Sequence, residues 1–338
     1  MSTLNFQYQA FGFNLVSDIP LPELSEKLLI ANEQNSVSVI SGNHDNWASI
    51  KASPHSTQCL QLAANEWRLA LEGIGWFRAE AGESLQYQRW DDSVSNRDLR
   101  TFLVTSGLGA LAVQQSALVL HGTALERNGE AVLLLGRPAT GKSSLSWCLQ
   151  QYGWQLISSE IVVVDKNMKI FPGVQQLKLW HDAAVALDLD WQQLPLVRRG
   201  LKRYALLGDQ LNCLESAAPL RCIYQLTRMR QQSRNEADVL ALSIKSSQAF
   251  SQQHALLVLR NNAFHARVVR GMECEQQLFM QASALARSVP IYSLRVPDGI
   301  RAMKNVCAIV DLMDPASFQE RNIEERNPEN SNKGESDA

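Results

Sequence analysis

The stretch "LLLGRPATGKSSLSW", residues 133–147, decides the fold of this chain. It opens on an apolar run that predicts a buried strand, and it closes on a segment typical of a helix. Between the two, Gly136, Gly141, Lys142 and Ser143 satisfy the pattern G-x-x-x-x-G-K-[ST]. A strand and a helix joined by this pattern predict a phosphate-binding loop. The alternative is a glycine-rich turn that holds no ligand.

The residue types of this loop suit a nucleotide. Glycines let several backbone N–H groups turn toward one anion, and the new helix adds the positive end of its dipole. We expect Lys142 to reach the β- and γ-phosphates of ATP and the Ser143 hydroxyl to ligate Mg²⁺. The residues predicted to bind the nucleotide are Gly136, Arg137, Pro138, Ala139, Thr140, Gly141, Lys142, Ser143 and Ser144.

Outward from the loop, apolar runs and helical patterns alternate. Strands are predicted at 117–122, 130–136, 154–158, 161–165, 219–229, 254–260 and 289–297, and helices at 141–153, 272–288 and 299–312. Buried strands between helices predict an α/β fold. We therefore expect a nucleotide-binding domain over residues 93–314, built as a mixed sheet with flanking helices.

The two ends of the chain differ from this middle part. Residues 1–92 hold short aromatic and β-branched runs cut by glycine and proline, which predict a smaller β-rich N-terminal domain. At 96–117 the apolar residues change to helical spacing. Residues 315–338 contain few apolar side chains, so we predict a disordered polar tail.

Composition and charge narrow the class of protein. With 45% hydrophobic and 20% charged residues, the chain is typical of a globular protein with a sizeable core. A net charge of -2 argues against nonspecific nucleic-acid binding. No apolar run is long enough for a membrane helix, the first residues are unlike a signal peptide, and the six cysteines are scattered. We expect a cytoplasmic protein with neither nucleic acid nor membrane as a partner.

Two polar residues flank the loop in sequence. His121 ends the apolar run "LVL", and Glu160 follows "WQLIS" and precedes "IVVVD". Carboxyl ends of parallel strands meet at one edge, so we expect His121, Lys142 and Glu160 to converge there. His121 could instead be a satisfied histidine in a packed turn, and Glu160 a solvated residue at a strand end. Asp165 is a competing acid, but we expect it toward the opposite end of its strand.

The order of these features resembles a known family. A His-Gly pair, a strand, G-x-x-x-x-G-K-S, a helix and then an acid are similar to the catalytic domain of HPr kinase/phosphorylase, over about residues 119–166. More specifically, the chain resembles the HPr-kinase-related proteins of bacterial peptide-modification and exopolysaccharide clusters. Segments like "YQAFGFNLVSDIPLPEL" and "GVQQLKLWHDAAVALDL" recur in those proteins, and that resemblance covers most of residues 6–312.

The resemblance implies an HPr-kinase-like P-loop domain and an ATP-dependent serine kinase. Lys142 and Ser143 match the phosphate lysine and the metal-binding hydroxyl of the family. His121 matches the active-site histidine, and Glu160 stands where the family has the aspartate that acts as base on the acceptor serine. Glu160 is also the second expected Mg²⁺ ligand. The implied partner is a peptide or protein acceptor, with products of the same operon as candidates, and a homo-oligomer stays open.

One departure from the family keeps other functions open. The family usually has an Asp-Asp pair where this chain has Ser159-Glu160. The missing acid favours a second hypothesis, a sensor or assembly factor that binds nucleotide without transferring phosphate. A third is a small-molecule kinase on the same scaffold, and GTP could replace ATP in any of them.

A basic cluster downstream is also open to two interpretations. It consists of Arg198, Arg199, Lys202 and Arg203. Arginine forks suit phosphate, so the cluster could form a lid that meets phosphate oxygens or an acidic peptide. The alternative is a solvated face without a ligand.

Overall fold

The structure, a computed structural model, describes residues 6–26, 36–198, 201, 203–228 and 249–296. The predicted helix 299–312, the predicted tail 315–338 and two members of the basic cluster, Arg199 and Lys202, lie outside the described residues.

The N-terminal part is one eight-stranded sheet. Its strands alternate side chains between two faces, so that in Gly75–Glu80 the residues Phe77 and Ala79 are buried and Trp76 and Arg78 face outward. The strand order is β3-β1-β2-β4-β8-β7-β6-β5. The strands are β1 Phe6–Ala10, β2 Phe13–Ser17, β3 Ser25–Glu26, β4 Ser36–Ser41, β5 Leu60–Ala63, β6 Glu66–Leu71, β7 Gly75–Glu80 and β8 Ser84–Arg89.

A long helical segment covers the buried face of this sheet. It runs as α1 Asn96–Phe102, a π-helical turn Leu103–Gly107 and α2 Leu108–Gln114. The Ser95 side chain caps its start by accepting from the backbone of Asp98. At Gly107 a Cβ would lie 2.7 Å from a methyl of Leu85, so the close approach of helix and sheet requires glycine there.

The remaining strands build the part of the molecule that carries the loop. They are β9 Leu118–Arg127, β10 Glu130–Leu135, β11 Gln155–Val164, β12 Lys169–Ile170, β13 Gln176–Trp180, β14 Arg203–Leu207, β15 Ala218–Arg228 and β16 Ile291–Val296. Six of them form a mixed sheet in the order β10-β9-β11-β12-β15-β16, and β10 also pairs with β15. β9 is antiparallel to β10 and β11, whereas β15 is parallel to β10 and β16. β13 and β14 form a separate antiparallel hairpin.

Helices accompany these strands, and one of them corrects the sequence prediction. They are α3 Lys142–Gln150, α4 His181–Ala186, α5 Gln252–Asn262, α6 Ala266–Gly271 and α7 Glu275–Ser288. The strand predicted at 254–260 is wrong, because α5 occupies those residues. Its buried residues Ala255, Val258, Leu259 and Asn262 are spaced by three or four, as on one face of a helix.

The protein is thus a mixed α/β structure with several sheets and few helices. Apolar clusters lie on both faces of the six-stranded sheet. Val119, Ile161 and Val163 of that sheet share a third cluster with the N-terminal sheet and the α1–α2 segment. Over the described ranges, no helix is long and apolar enough to cross a membrane.

Candidate phosphate-binding site

The loop at 136–144 leaves the end of β10 and turns directly into α3. Gly136 has φ 155°, Ala139 φ 64° and Gly141 φ 92°, so the backbone curls through positive φ three times. A Cβ on Gly136 would lie 2.8 Å from Thr140 Oγ1 and 3.1 Å from the Leu226 carbonyl, which only glycine avoids. The tip, Arg137–Pro138–Ala139, is exposed. This is the strand, tight loop and helix that the sequence predicts.

Lys142 lies across its own loop. Its Nζ donates to the carbonyl oxygens of Gly136 at 2.6 Å and of Arg137 at 3.1 Å. Burial lowers the pKa of Lys142; the negative charge of Glu160 opposes that shift, and the positive charge of Arg203 adds to it. The ammonium therefore lies within electrostatic range of both side chains.

Asn262 holds the first glycine of the loop in place. Its Oδ1 accepts from the backbone N–H of Gly136 at 3.1 Å. Its amide nitrogen donates to Gln225 Oε1 at 2.9 Å and to the Val258 carbonyl at 2.8 Å. Asn262 is buried at the end of α5 and 126 positions away in sequence, so no local pattern signals this contact.

His121 and Glu160 lie near the loop for a different structural reason from the one predicted. His121 lies within β9, not at its end, and Glu160 lies within β11. Since β9 is antiparallel to β10, its N-terminal half lies beside the end of β10, with Gly122 paired to Leu135. Gly122 is also paired to Glu160, and His121 to Ile161. The two residues approach Lys142 through antiparallel pairing, and not because parallel strands end together.

The His121 ring contacts the backbone of Glu160. Nδ1 lies 3.3 Å from the Glu160 carbonyl oxygen, which can only accept, so Nδ1 carries the proton. Glu160 has φ 65°, an uncommon value for a residue inside a strand, and its carbonyl oxygen is the partner in this contact. Burial lowers the pKa of His121; the hydrogen bond and charge of Glu160 oppose the shift, and the charge of Lys142 adds to it. The imidazole is thereby kept neutral.

A second histidine packs against the first. The ring of His265 lies edge-on to His121, with centroids 4.9 Å apart, and Phe264 is 5.6 Å from the His121 centroid. His265 is exposed as a residue, yet burial of its ring lowers its pKa, and the neighbouring His121, if protonated, would add to that shift. The sequence prediction did not include His265 in the site.

The carboxylate of Glu160 is ion-paired with the β13–β14 hairpin. Lys178 Nζ lies 2.5 Å from Oε2, and Arg203 Nη2 lies 3.7 Å from Oε1. The Lys178 side chain is only 4% exposed, whereas those of Glu160 and Arg203 are 27% and 29% exposed. The sequence prediction missed Lys178, because a lysine within an apolar strand carries no motif. Arg203 was noted only as part of the basic cluster.

Ser159, where the resembling family has an acid, faces away from this cluster. Its hydroxyl donates to the Gln176 carbonyl, and its N–H donates to the Val174 carbonyl at 2.8 Å. The residue is 2% exposed. Ser159 therefore joins β11 to the segment that leads into β13. Of the two residues that stand where the family has an Asp-Asp pair, only Glu160 is an acid.

The two predicted metal ligands have different surroundings. Ser143 is half-buried in the first turn of α3, and Glu160 is held by Lys178. Among the described residues, no three His, Cys, Asp or Glu side chains cluster as a metal site. Asp165 instead caps a turn after β11, accepting from the N–H groups of Asn167 at 2.9 Å and Lys169 at 2.7 Å.

Comparisons with known proteins add little to this geometry. No family model and no curated protein matches the chain. Solved structures do match, among them the HPr(Ser) kinase/phosphatase from Coxiella burnetii, at 10% identity and a TM-score of 0.29, over 62% of this chain and 98% of that one. A similarity at this level does not establish a shared fold. The function proposed below therefore rests on the residues of this chain.

Proposed function

We propose that the protein is an ATP-dependent kinase that transfers the γ-phosphoryl group to a hydroxyl of a peptide or protein, with serine as the expected acceptor. One observation carries the proposal. The 136–144 loop joins β10 to α3 with Lys142 lying over it, and antiparallel pairing brings a carboxylate, Glu160, to the same edge.

The loop provides the groups that a triphosphate needs. Lys142 donates to its own loop carbonyls, and a phosphate oxygen can replace those acceptors. The backbone N–H groups at the start of α3 add donors and the positive end of a dipole. Two cations, Lys178 and Arg203, lie at one carboxylate, and Lys142 adds a third positive charge on the loop, so the site carries a surplus of positive charge. These features fit a polyphosphate anion.

Of the two residues expected to hold Mg²⁺, Ser143 suits that role more readily than Glu160. Ser143 lies at the start of α3, and its hydroxyl would hold Mg²⁺. In nucleotide sites Mg²⁺ takes few protein ligands and several phosphate or water oxygens. Glu160 would have to share its oxygens with Lys178 to do so. When bound, Mg²⁺ neutralises charge on the phosphates.

Glu160, His121 and Lys178 provide the acceptor side of the proposed reaction. Glu160 accepts the proton of the acceptor hydroxyl. The acceptor oxygen bonds to the γ-phosphorus, and the bond from that phosphorus to the bridging oxygen breaks, so ADP leaves with its electron pair. His121 contacts the backbone carbonyl of Glu160, and Lys178 fixes its carboxylate. Both act as positioning residues.

A second function, nucleotide binding without transfer, is favoured by one specific observation. Lys178 and Arg203 already lie at the two oxygens of Glu160, and Ser159 is turned into the structure. A carboxylate whose two oxygens both face cations must give up one of those contacts before it can accept the proton of a hydroxyl. The protein would then act as a nucleotide-dependent sensor or assembly factor.

Transfer of labelled phosphate separates the two functions. The wild type is incubated with Mg²⁺ and γ-labelled ATP, together with peptides and proteins encoded in the same operon. A kinase labels a hydroxyl of at least one of them. The Glu160→Gln/Lys178→Met double variant, which leaves no unpaired ammonium, should lose about 10²–10⁴-fold of that rate. Labelling at the full rate would reject Glu160 as the base, and a wild type that binds ATP but labels nothing would support the second function.

A further inference from the structure

Arg203 is held in place by an exposed tryptophan. It is paired directly with Trp180 across the β13–β14 hairpin. Its guanidinium carbon lies 5.6 Å from the centre of the Trp180 ring, which is 50% exposed. Stacking on an aromatic face fixes the plane of a guanidinium without using its N–H donors. The hairpin thus presents a fixed arginine fork at the rim of the site.

The donors of this fork are largely unused by the described residues. Nη2 is 3.7 Å from Glu160 Oε1, which is beyond hydrogen-bond length, while Lys178 binds the other carboxylate oxygen at 2.5 Å. Nε is buried, and no described residue accepts from it. A buried donor without an acceptor is costly, so the arrangement points to an acceptor that a ligand supplies.

Arg203 also lies near the phosphate lysine. Its Nη2 lies 3.7 Å from Glu160, which is paired with Gly122, and Gly122 is paired with Leu135, the last residue of β10 before the loop. The charges of Glu160 and Arg203 both act on Lys142, which lies over that loop. Two cations that face one region repel each other, and an anion between them would relieve that repulsion. Glu160 balances only part of this charge, because Lys178 also pairs with it, so an anionic ligand that contacts both Lys142 and Arg203 would relieve the repulsion that remains.

We propose that Arg203 binds the terminal phosphate of the nucleotide, so that the β13–β14 hairpin makes the site prefer a triphosphate to a diphosphate. This inference rests on the proposed nucleotide binding. An arginine fork donates to two oxygens of one phosphate, whereas the loop N–H groups and Lys142 also bind the inner phosphates that ADP retains. Arg203 is therefore the group expected to distinguish the two nucleotides.

Titration calorimetry with ADP and with the β,γ-imido analogue of ATP, both with Mg²⁺, tests the proposal. In Arg203→Ala the affinity for the triphosphate analogue should fall about 10–100-fold, the usual effect of a hydrogen bond to a charged group, whereas the affinity for ADP should fall less than about threefold. Arg203→Lys, which keeps the charge but loses the fork, should lie between. Arg287→Ala, which removes an exposed charge in the last turn of α7, is the control and should change neither affinity.

The outcomes also separate this inference from the proposed function. Equal losses for ADP and the analogue, or no loss for either, would overturn the role of Arg203 while leaving the loop as the nucleotide site. Lys142→Ala, run alongside, should weaken both ligands. A wild type that binds neither nucleotide would overturn the proposed function itself. Thermal unfolding of each variant shows whether a lost affinity comes from a lost fold, and Arg203→Lys provides the test should Arg203→Ala not fold.

Discussion

The ammonium of Lys178 lies 2.5 Å from Oε2 of Glu160, and the lysine side chain is only 4% exposed. The pair joins β11 of the six-stranded sheet to the β13–β14 hairpin. A buried ammonium is stable only while its partner is charged, so neither residue can be changed alone without affecting the other. Any substitution of Glu160 therefore changes stability as well as chemistry.

The first prediction concerns this pair. Glu160→Gln should lower the free energy of unfolding by about 2–4 kcal/mol, because it leaves Lys178 buried without a counter-charge. This loss is smaller than is usual when one partner of a fully buried ion pair is removed, since the Glu160 side chain is 27% exposed. Glu160→Gln/Lys178→Met should recover most of the loss. Urea unfolding measures all three proteins, and a double variant no more stable than Glu160→Gln would show that the pair does not stabilise the fold.

The second prediction concerns pH. Burial lowers the pKa of His121 and of His265 in the folded protein, whereas in the unfolded chain both titrate near the ordinary value of about 6.5. As the pH falls through that value, the unfolded chain binds protons that the folded chain does not, so stability is lost. The free energy of unfolding should fall from pH 7.5 to pH 5.5, by at most about 1.4 kcal/mol per pH unit for His121 and by less for His265, which is exposed as a residue.

Unfolding curves of histidine variants test this. His121→Asn and His265→Asn should each flatten the dependence over this range, and the double variant should flatten it further. A variant that keeps the full wild-type slope would show that its histidine is not the group that titrates.

The third prediction concerns Asn262. Asn262→Ala should cost about 1–3 kcal/mol, because it leaves the buried N–H of Gly136 without an acceptor. The affinity for nucleotide should fall too, since Gly136 begins the loop. Asn261→Ala, at the exposed neighbouring position, is the matched control and should change neither property. Loss of stability with unchanged nucleotide affinity would separate Asn262 from the site.

Local patterns predicted the loop because its constraints are local. The spacing of Gly136, Gly141 and Lys142 is set by a turn and a helix start within nine residues, and the structure has both. The two segments quoted for the family resemblance also meet: the Gln175 N–H donates to the Glu23 carbonyl at 2.7 Å, and a Cβ on Gly173 would lie 2.2 Å from the Phe11 ring.

Other features depend on pairing between distant parts of the chain. That His121 and Glu160 lie together follows from the antiparallel register of β9 with β11, which no local pattern fixes. Lys178 and Arg203 reach Glu160 from a hairpin whose strands are over twenty residues apart in sequence. The apolar run at 254–260 predicted a strand, but its buried positions have helical spacing. A short apolar run does not by itself distinguish a strand from a helix.

The measurement that tests the proposed site most directly is calorimetric titration of Mg·ATP into the wild type and Lys142→Ala. Lys142 lies over the loop, so its loss should weaken binding by about 10–100-fold while the melting temperature stays close to the wild-type value. Lys166→Ala, at an exposed turn, removes the same charge and should bind as the wild type does. A wild type that binds no Mg·ATP, or a Lys142→Ala variant that binds it equally well, would contradict the nucleotide site.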